Sequence, residues 1–549
     1  MTRGVENLSP RGTSLAIAVL MFSTGAAGLV FEYILSTVSS YILGNTIEQF
    51  SVTIAVMMLF MGIAGSVQQI VPDRQLAKTF VAAECLLALA GGFSPIILQL
   101  AFAEVPKNFL LIHYSLAALI GFLVGIEIPL ILRLNAVWTK RLSTNLSNVL
   151  TWDYVGAFLG ALIWAFLLLR LFSISETAFL VAISNFAVAA GISLFLGFRS
   201  PGMLVLMGSV VAGLLVGLST VKAAEVALEQ RLYADPIVYS KTTRYQHLVL
   251  THDPAVDDWR LFINGNLQFS SLDEDRYHEL LVHPPMATAL QRTSVLILGG
   301  GDGLALRRVL NWPDVKSVML VDIDPDMIRL FRTHPDLIEL NGNAFNQAEV
   351  SVVTEAGIEA VGTRQAHMGA NASRDLHRTI SVVNVDAHAF VRAAGDRRWD
   401  VIIVDLPDPN SVELTKLYSV EFYRDLSNVL SRGGTLGVQA TSPYYAKEAF
   451  LTILRTIGAA GFHTVPYHMN VPSFGDWGFI LAWRDRPQGD VLSRLTEAGR
   501  APGTTFITAE IVLSALAFGR HELETDQTDI NKLMRPVLLD RYRFAWTSE

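Results

Sequence analysis

The residues with the clearest chemical meaning form a glycine-rich turn after an apolar strand. The strand is Val295-Leu-Ile-Leu298, and it leads directly into Gly299, Gly300, Gly301, Asp302 and Gly303. Twenty residues after Asp302, a second apolar strand ends on Asp322. Glycines let the backbone approach a ligand, and an acid at the end of the next strand accepts hydrogen bonds from ribose hydroxyls. A glycine-rich turn alone also closes ordinary strand–helix connections, but the whole combination predicts a nucleoside site.

Asp302 distinguishes this turn from a dinucleotide-binding turn. The sequence GGGDG departs from GxGxxG, in which a helix N-terminus holds a pyrophosphate. A carboxylate in the turn would repel phosphate, whereas it suits a cation. We therefore expect an S-adenosyl sulfonium compound rather than NAD.

Further acids follow later strands of the same region. Asp386 comes after the apolar run ISVV, where it could accept a hydrogen bond from an adenine amino group. Asp405 and Asp408 follow the run VIIV. Ligands of open parallel sheets bind beyond the carboxyl ends of the strands, so we expect these acids to share one crevice with Asp302 and Asp322. The alternative is that acids at strand ends merely cap the helices that follow.

The elements that would position these acids belong to an α/β fold. Strand and helix signals alternate from residue 294 to about 485, which predicts a Rossmann-like, methyltransferase-type doubly wound sheet. Short strands at 248–251 and 261–263, with the turn pair Asn264-Gly265 after the second, predict a small β-hairpin region before it. Polar residues 273–279, taken singly, predict a solvated face leading into a helix.

The first 220 residues have a different composition. Hydrophobic residues make up 51% of the 549 residues and charged residues 17%, and the apolar excess is concentrated at the N-terminus. Seven apolar stretches there reach the roughly 20 residues that cross a bilayer. They lie at 14–40, 49–71, 79–103, 108–134, 146–171, 175–198 and 202–221. We predict an all-α, multi-pass bundle in the cell membrane, because buried helices of a soluble protein would not give so many consecutive spans.

The predicted organisation therefore has four parts. They are a transmembrane helical domain at 1–221, a β-hairpin region at 222–289, a Rossmann-like catalytic domain at 290–500 and a helical tail at 501–549. The tail segment 507–518 is apolar but short and carries Glu510, so we expect it to pack on the domain or on a membrane surface.

The charges of the loops conflict with the expected ligand. Basic residues cluster on the side of the N-terminus, which favours a cytoplasmic N-terminus: Arg3, Arg11, Arg74, Lys78, Arg133, Lys140, Arg141 and Arg199, against Lys107 and Arg170 opposite. Seven spans would then place the catalytic domain outside. S-adenosyl compounds are made from ATP and kept inside cells, so we expect a cytoplasmic catalytic domain, and the conflict stays open.

Three acids lie within the predicted spans: Glu32, Glu127 and Asp153. Placing an ionised side chain inside the bilayer costs free energy, so acids within predicted spans are candidates for functional residues. Small-residue pairs beside the last two, at Gly121/Gly125 and Gly156/Gly160, also favour close helix packing. The acids could lock helices together or handle an amine, and both interpretations stay open.

Other features of the composition are less informative. The only cysteine, Cys85, excludes a disulfide within the chain. The net charge is −8, and there is no basic cluster with interleaved aromatic residues. Nucleic acid is therefore not an expected partner.

From about Tyr245 to Trp483 the chain resembles the polyamine aminopropyltransferases, the spermidine synthase family. The whole chain resembles the membrane-fused branch of that family. Five motifs carry the resemblance: Leu261-x-x-Asn-Gly-x-x-Gln268, Tyr277-His-Glu-x-x-x-His283, Gly299-Gly-Gly-Asp-Gly303, Val321-Asp-Ile-Asp324 and Asp405-x-x-Asp408-Pro409.

The resemblance implies a role for each motif residue. Decarboxylated S-adenosylmethionine, the donor substrate, would be held by Gln268, Asp302, Asp322 and Asp386. Tyr277, His278 and Asp408 would position the acceptor amine, and Asp405 would be the base. The sulfonium is already activated, so neither a metal nor a prosthetic group is expected. Soluble relatives form dimers or tetramers, so a homo-oligomer is an open expectation.

Three departures from the family pattern stand out, and the loop after Asp-Pro matters most, because that loop helps to cover the acceptor in the family. Asn264-Gly265 replaces the usual Asp-Gly, and Asp322 replaces the common glutamate. The Gly-Pro-rich loop after Asp-Pro is replaced by 410–416, and 343–378 is an insertion read as a surface excursion. Putrescine is the default acceptor. The alternatives are a larger or membrane-delivered amine, or a polyamine transporter or sensor whose soluble domain binds without catalysis.

Overall fold

The computed structural model describes residues 10–43, 46–195, 200–347, 349–351, 378–485 and 491–547. The chain divides into two compact units, Met1–Pro236 and Ile237–Glu549. Residues 352–377 of the predicted surface excursion lie outside the described residues, as do Arg3 and Arg199 of the charge pattern.

The first unit is helical. Within the described residues, seven helices are long and apolar enough to cross a membrane, which agrees with the seven predicted stretches. They are α1 (Pro10–Leu43), α2 (Thr46–Val67), α3 (Leu76–Glu104), α4 (Phe109–Asn135), α5 (Leu142–Ile163, continued by a π-helical turn at Trp164–Leu168 and a short helix at Leu169–Leu171), α6 (Ile174–Phe195) and α7 (Pro201–Gln230). Helix α1 packs along α5, α2 along α4, and α3 along α6.

The end of α7 corrects the predicted start of the β-hairpin region. Residues 222–230 were assigned to that region, but they continue the last helix to Gln230. The segment is rich in alanine, glutamate and leucine, which have high helix propensity, so a helix can continue after the apolar stretch ends. The first strand begins only at Ile237.

Close helix approach explains the glycine pairs of the bundle. A Cβ built on Gly121 of α4 would lie 2.6 Å from the carbonyl oxygen of Met57 in α2. One on Gly156 of α5 would lie 2.1 Å from the carbonyl oxygen of Phe22 in α1. Both crossings therefore depend on the absence of a side chain, as the small-residue patterns predict.

The second unit begins with a four-stranded antiparallel sheet in the order β1-β2-β3-β4. Its strands are β1 (Ile237–Thr242), β2 (His247–Asp253), β3 (Asp258–Ile263) and β4 (Asn266–Ser270). Asn264 and Gly265 join β3 to β4 with φ of +50° and +79°. Positive φ at both positions is typical of a type I′ turn, and the predicted hairpin is confirmed.

The eight-stranded sheet that follows has the order β11-β12-β10-β9-β5-β6-β8-β7. Its strands are β5 (Ser294–Gly299), β6 (Ser317–Asp322), β7 (Glu349–Ser351), β8 (Thr379–Asn384), β9 (Trp399–Asp405), β10 (Leu430–Gln439), β11 (His463–Val471) and β12 (Gly475–Trp483). Strand β12 pairs antiparallel with β10 and β11, and the other pairs are parallel. The predicted Rossmann-like sheet is therefore present. The chain winds outward from β5 towards β6 and returns to β9, so a crevice forms beyond the carboxyl end of β5.

Both faces of this sheet are covered. Val295 and Ile297 of β5 join the core on one face, and Leu296 and Leu298 join the core on the other. This is why β5 is apolar throughout instead of alternating. The helices of the second unit are α8 (Glu274–Thr288), α9 (Leu304–Leu310), α10 (Pro325–Thr333), α11 (Pro335–Leu340), α12 (Ala387–Ala393), α13 (Val412–Thr415), α14 (Val420–Val429), α15 (Lys447–Ala459), α16 (Val491–Glu497), α17 (Ala509–Ala515) and α18 (Val537–Thr547).

The C-terminal segment packs on the second unit. Ile507 and Val512, in and before α17, are buried in the core that includes β5, and Leu538 of α18 is buried in the core on the other face. Of the two expectations for residues 507–518, packing on the domain is confirmed.

Candidate active site

The glycine-rich turn lies where three strands end together. Gly299 and Gly303 have φ of +82° and +80°, a conformation that favours glycine. A Cβ on Gly299 would lie 1.9 Å from the carbonyl oxygen of Asp405, and one on Gly301 would lie 2.6 Å from Oδ2 of Asp322. The turn therefore needs glycine because β9 and the carboxylate at the end of β6 lie directly against it.

Asp322 is held by backbone amides. Its Oδ2 accepts from Gly301 N–H at 3.1 Å, and its Oδ1 accepts from Asp324 N–H at 2.8 Å. Burial raises the pKa of Asp322 to about 7, although these amides act in the opposite direction. The carboxylate is thus fixed at the rim of the glycine turn, where a ribose could reach it.

Asp302 is anchored at the start of α9. Its Oδ1 accepts from Leu304 N–H at 2.8 Å. Burial raises the pKa of Asp302 to about 6, while the charge of His278 opposes that rise and the charge of Asp405 adds to it. Asp302 therefore has a local role at the helix start, as the capping alternative requires. Its charge also interacts with those of His278 and Asp405, two other predicted site residues.

Asp405 ends β9 and is bonded to Tyr277 of α8. The Tyr277 hydroxyl donates to Asp405 Oδ1 at 2.8 Å. Oδ2 of Asp405 is buried and has no hydrogen-bond partner among the described residues. Burial raises the pKa of Asp405, opposed by the charge of His278 and by the Tyr277 hydroxyl. One carboxylate oxygen is therefore positioned and the other is free to accept a proton.

His278 is the cationic partner of these acids. Its side chain is buried, and its Nδ1 contacts Glu274 Oε2 at 2.9 Å and the Glu274 carbonyl oxygen at 3.0 Å. Burial lowers the pKa of His278, but the bond and charge of Glu274 outweigh that effect and raise it to about 9. Single ligand atoms of His278, Asp302 and Asp405 lie within 4.8 Å of one another. At neutral pH His278 is protonated and offers no lone pair, so within this group only the carboxylates Asp302 and Asp405 could attract an organic ammonium or sulfonium.

Asp408 lies in a network of neutral donors. Its Oδ2 accepts from the Thr441 hydroxyl at 3.0 Å and its Oδ1 from Gln439 Nε2 at 3.4 Å. The Tyr542 hydroxyl also donates to this carboxylate. Burial raises the pKa of Asp408 to about 6, with the three donors opposing that rise. Its position is therefore set by side chains from β10, the loop after it and the C-terminal helix.

Asp386 is occupied by contacts within the chain. Its Oδ1 caps α12 by accepting from Ala389 N–H at 2.9 Å, and its Oδ2 pairs with Lys416 Nζ at 2.7 Å. Burial would raise the pKa of Asp386, but Lys416 and the Ala389 amide lower it overall. The capping alternative holds for this acid, and its expected contact with adenine stays a prediction.

Gln268 is the predicted site residue whose contacts are all local. Its side-chain amide donates to the carbonyl oxygens of Asn266 and Leu267 in its own strand, at 3.1 and 3.3 Å. None of the hydrogen bonds found among the described residues joins it to the acids above. Its expected role with the donor also stays a prediction.

The prediction of a solvated face at residues 273–279 was wrong. Glu274, His278 and Glu279 are buried, with exposed fractions of 3%, 2% and 0%. Glu274 pairs with His278 and with Arg307, and Glu279 accepts from the amides of the segment before α17. Residues far apart in the chain bury this helix, and single-position polarity carries no such information.

Sequence reasoning also missed two residues that contact the predicted acids. Lys416 lies in the loop that departs from the family pattern, and a lone basic residue there carried no signal. Tyr542 lies in the C-terminal helix, more than a hundred residues from Asp408. Glu274 could have been found, because it lies four residues before His278 on a helix, the spacing of an ion pair.

Comparisons with known proteins show which family the chain is similar to. Residues 274–370 and 364–489 match the family described as the spermine/spermidine synthase domain. Polyamine aminopropyltransferase 1 of Streptomyces coelicolor is 36% identical over 98% of this chain and 95% of its own. Polyamine aminopropyltransferase 2 of Ralstonia nicotianae is 37% identical over 98% and 99%. A crystal structure of spermidine synthase in complex with the transition-state analogue AdoDATO aligns with a TM-score of 0.41 and 23% identity, covering 52% of this chain and 88% of that chain.

The class of protein is that of the transferases. The relatives are more than 30% identical over alignments that cover 98% of this chain, so the chain belongs to the polyamine aminopropyltransferase family. The resemblance found in the sequence motifs is confirmed, and so is the expectation of an enzyme rather than a non-catalytic binding protein.

Proposed function

We propose that the chain transfers an aminopropyl group from decarboxylated S-adenosylmethionine to a diamine, giving a polyamine and methylthioadenosine. Putrescine, which would give spermidine, is the default acceptor. The observation that carries the proposal is the free, buried Oδ2 of Asp405 beside Tyr277 and the glycine-rich turn. A buried acceptor with no partner is costly unless a ligand supplies the donor.

The donor site is assigned to the turn and the acids around it. The ribose would lie on Asp322, whose Oδ2 contacts the turn, whose Oδ1 contacts the Asp324 amide, and whose oxygens both retain lone pairs for hydroxyl donors. Asp302 would lie near the aminopropyl end, where its negative charge favours a cation. Asp386 would have to exchange Lys416 for the adenine amino group, and Gln268 would have to turn away from its own strand.

The reaction needs a neutral amine aimed at the carbon beside the sulfonium. The nitrogen lone pair forms the new C–N bond, the C–S bond breaks towards sulfur, and methylthioadenosine leaves. The amine loses a proton in the process, and Asp405 Oδ2 accepts it. The raised pKa of Asp405 makes it a stronger base than an ordinary aspartate. Alignment of the two substrates supplies the rest of the rate, since the leaving group is already activated.

His278 and Asp408 serve the acceptor in different ways. With its pKa near 9, His278 is protonated at neutral pH and cannot accept a hydrogen bond from an ammonium. It would therefore act by holding Asp302 and Asp405 in place, as a positioning residue. Asp408 would face the distal ammonium of the acceptor, using lone pairs that its three neutral donors leave free.

A larger or membrane-delivered amine is the second candidate acceptor. The loop after Asp408 carries Lys416, which pairs with Asp386. A loop held by an ion pair at this position could leave a different opening for the acceptor than the Gly-Pro-rich loop of the family. Comparing turnover of putrescine with that of longer amines would separate the two.

We also propose that the helical unit spans the cell membrane with the catalytic unit in the cytoplasm. The support is the seven long apolar helices and the intracellular origin of the donor. The charge bias of the loops points the other way for seven spans. In sealed inverted vesicles the cytoplasmic face of the membrane points outward, so a cytoplasmic α/β unit should be digested by added protease. Protection of the α/β unit would mean that it lies on the extracytoplasmic side and would contradict the assignment.

The first test is methylthioadenosine release by the detergent-solubilised full-length chain given both substrates. We expect release that requires donor and putrescine and is abolished in Asp405→Asn, with donor binding retained. Asp396→Asn, at an exposed acid of the same unit, is the matched control and should turn over normally. Loss of donor binding in Asp405→Asn would contradict the base assignment. No donor binding by the wild type would refute the nucleoside site itself.

A further inference from the structure

A second group of acids lies inside the helical unit. Glu127 of α4 is buried at 2% exposure, Glu32 of α1 at 9%, and Asp153 of α5 is half-buried. Glu84 of α3, which the sequence analysis did not single out, is buried at 1% exposure. The charges of Glu84 and Asp153 both act on Glu127, so Glu127 lies within electrostatic range of both acids.

Neutral side chains hold one oxygen of each buried glutamate and leave the other free. Asn185 of α6 donates to Glu84 Oε2 at 2.9 Å, and Ser23 of α1 donates to Asn185 Oδ1 at 3.2 Å. The Thr24 hydroxyl is hydrogen-bonded to Glu127. Glu84 Oε1 and Glu127 Oε1 are buried and have no hydrogen-bond partner among the described residues.

Within the described part of the helical unit, no ion pair joins a basic side chain to these acids. The ion pairs found among the described residues of the helical unit join acids at the helix ends: Arg133 to Asp73, Lys222 to Glu176 and Arg231 to Glu104. A buried carboxylate without a partner is strongly destabilising, so it is expected to take up a proton or a cation.

The free oxygens argue against a purely structural lock. Two neutral glutamic acids that only tied helices together would satisfy each other or a neighbouring carbonyl through their O–H groups. Here each glutamate is fixed through one oxygen by a donor from another helix, while the second oxygen has no donor. The site consists of fixed acceptors, and the group that would complete it is a donor with positive charge.

We propose that Glu84 and Glu127 form a binding site for a protonated amine inside the helical unit. An ammonium supplies up to three N–H donors and a positive charge, which matches two free carboxylate oxygens. A hard metal cation such as Ca²⁺ would need about six to eight oxygen ligands, more than these two side chains and their neighbours provide. That the amine is a diamine or polyamine rests on the proposed function of the α/β unit.

The test is equilibrium dialysis of radiolabelled spermidine against the detergent-solubilised full-length chain. Glu127→Gln should remove one bound amine per chain, both in the wild type and in the Asp405→Asn background. Methylthioadenosine release should stay at the wild-type rate. Glu104→Gln is the matched control, because this acid ends the same helix as Glu84 but is exposed and paired with Arg231. If Glu127→Gln folds poorly, Glu84→Gln provides the same test and should also lose one bound amine per chain.

Equal spermidine binding by wild type and Glu127→Gln would overturn the proposal. So would displacement of this one amine when sodium chloride replaces tetramethylammonium chloride at constant ionic strength, since that would make the site one for inorganic cations. If methylthioadenosine release does not depend on Asp405 while spermidine binding still depends on Glu127, the proposed reaction is refuted and the site in the helical unit is retained. Normal turnover without Glu127-dependent binding removes that site alone.

Discussion

The hydrogen bond from Tyr277 to Asp405 allows us to predict at which pH activity falls on acidification. This fall is the acid limb of the profile of kcat/KM against pH. Tyr277→Phe removes a 2.8 Å bond from a buried hydroxyl to a carboxylate and leaves the ring in place. The bond favours the charged form of Asp405, so its loss raises the pKa of that carboxyl further.

The size of the shift follows from the strength of the bond. A hydrogen bond to a charged group contributes about 1.5–3 kcal/mol. One pKa unit corresponds to about 1.4 kcal/mol, so the limb should move by about one to two pH units. On that limb the rate is proportional to the fraction of Asp405 that is ionised. At a fixed pH there, Tyr277→Phe should therefore be about 10- to 100-fold slower.

The assay is kcat/KM for methylthioadenosine release measured across pH. Tyr423→Phe is the matched control, because the Tyr423 hydroxyl is buried but has no hydrogen-bond partner among the described residues. We expect the acid limb of Tyr277→Phe to lie at higher pH and that of Tyr423→Phe to coincide with wild type. A uniformly lower rate with an unmoved limb would refute the argument, because it would mean that Tyr277 only orients the acceptor.

Two predictions concern stability. Glu279→Gln removes one of the three acids paired with the buried Arg308, at 3.1 Å, while Glu274 and Asp275 remain. We therefore expect a loss of about 1.5–3 kcal/mol in thermal unfolding, and a Tm equal to that of the exposed-site control Glu497→Gln would contradict it. Glu274 raises the pKa of His278 from 6.5 to about 9, so this stabilisation is complete below pH 6.5 and is lost as pH rises through 9. Between pH 6.5 and 9, the free energy of unfolding should therefore fall less with rising pH in Glu274→Gln than in wild type. An equal fall in both proteins would speak against the ion pair.

The local elements were predictable because neighbouring residues decide them. The Asn264-Gly265 turn, the apolar strand of Val295–Leu298 and the glycine turn after it form as expected. Each depends on backbone preferences or on periodicity over a few residues. The identity of the acids at the ends of the strands was also readable, since the carboxyl end of each apolar run is visible in the sequence.

What each acid contacts was not predictable in the same way. Asp386 and Asp405 both follow apolar runs, but Asp386 is paired with Lys416 and caps a helix, whereas Asp405 keeps a free oxygen beside Tyr277. The difference comes from the loop and helix that each strand end meets.

The sequence by itself determined that the chain has an apolar helical part and an α/β part whose first apolar strand leads into a glycine-rich turn carrying Asp302. Composition, periodicity and spacing contain that information. Only the tertiary structure decided that Glu274, His278 and Glu279 are buried. The same is true of the contact of Tyr542 with Asp408 and of the charge interaction between Glu84 and Glu127. These contacts join residues far apart in the chain, and burial changes the pKa of a carboxyl through neighbours that local sequence does not reveal.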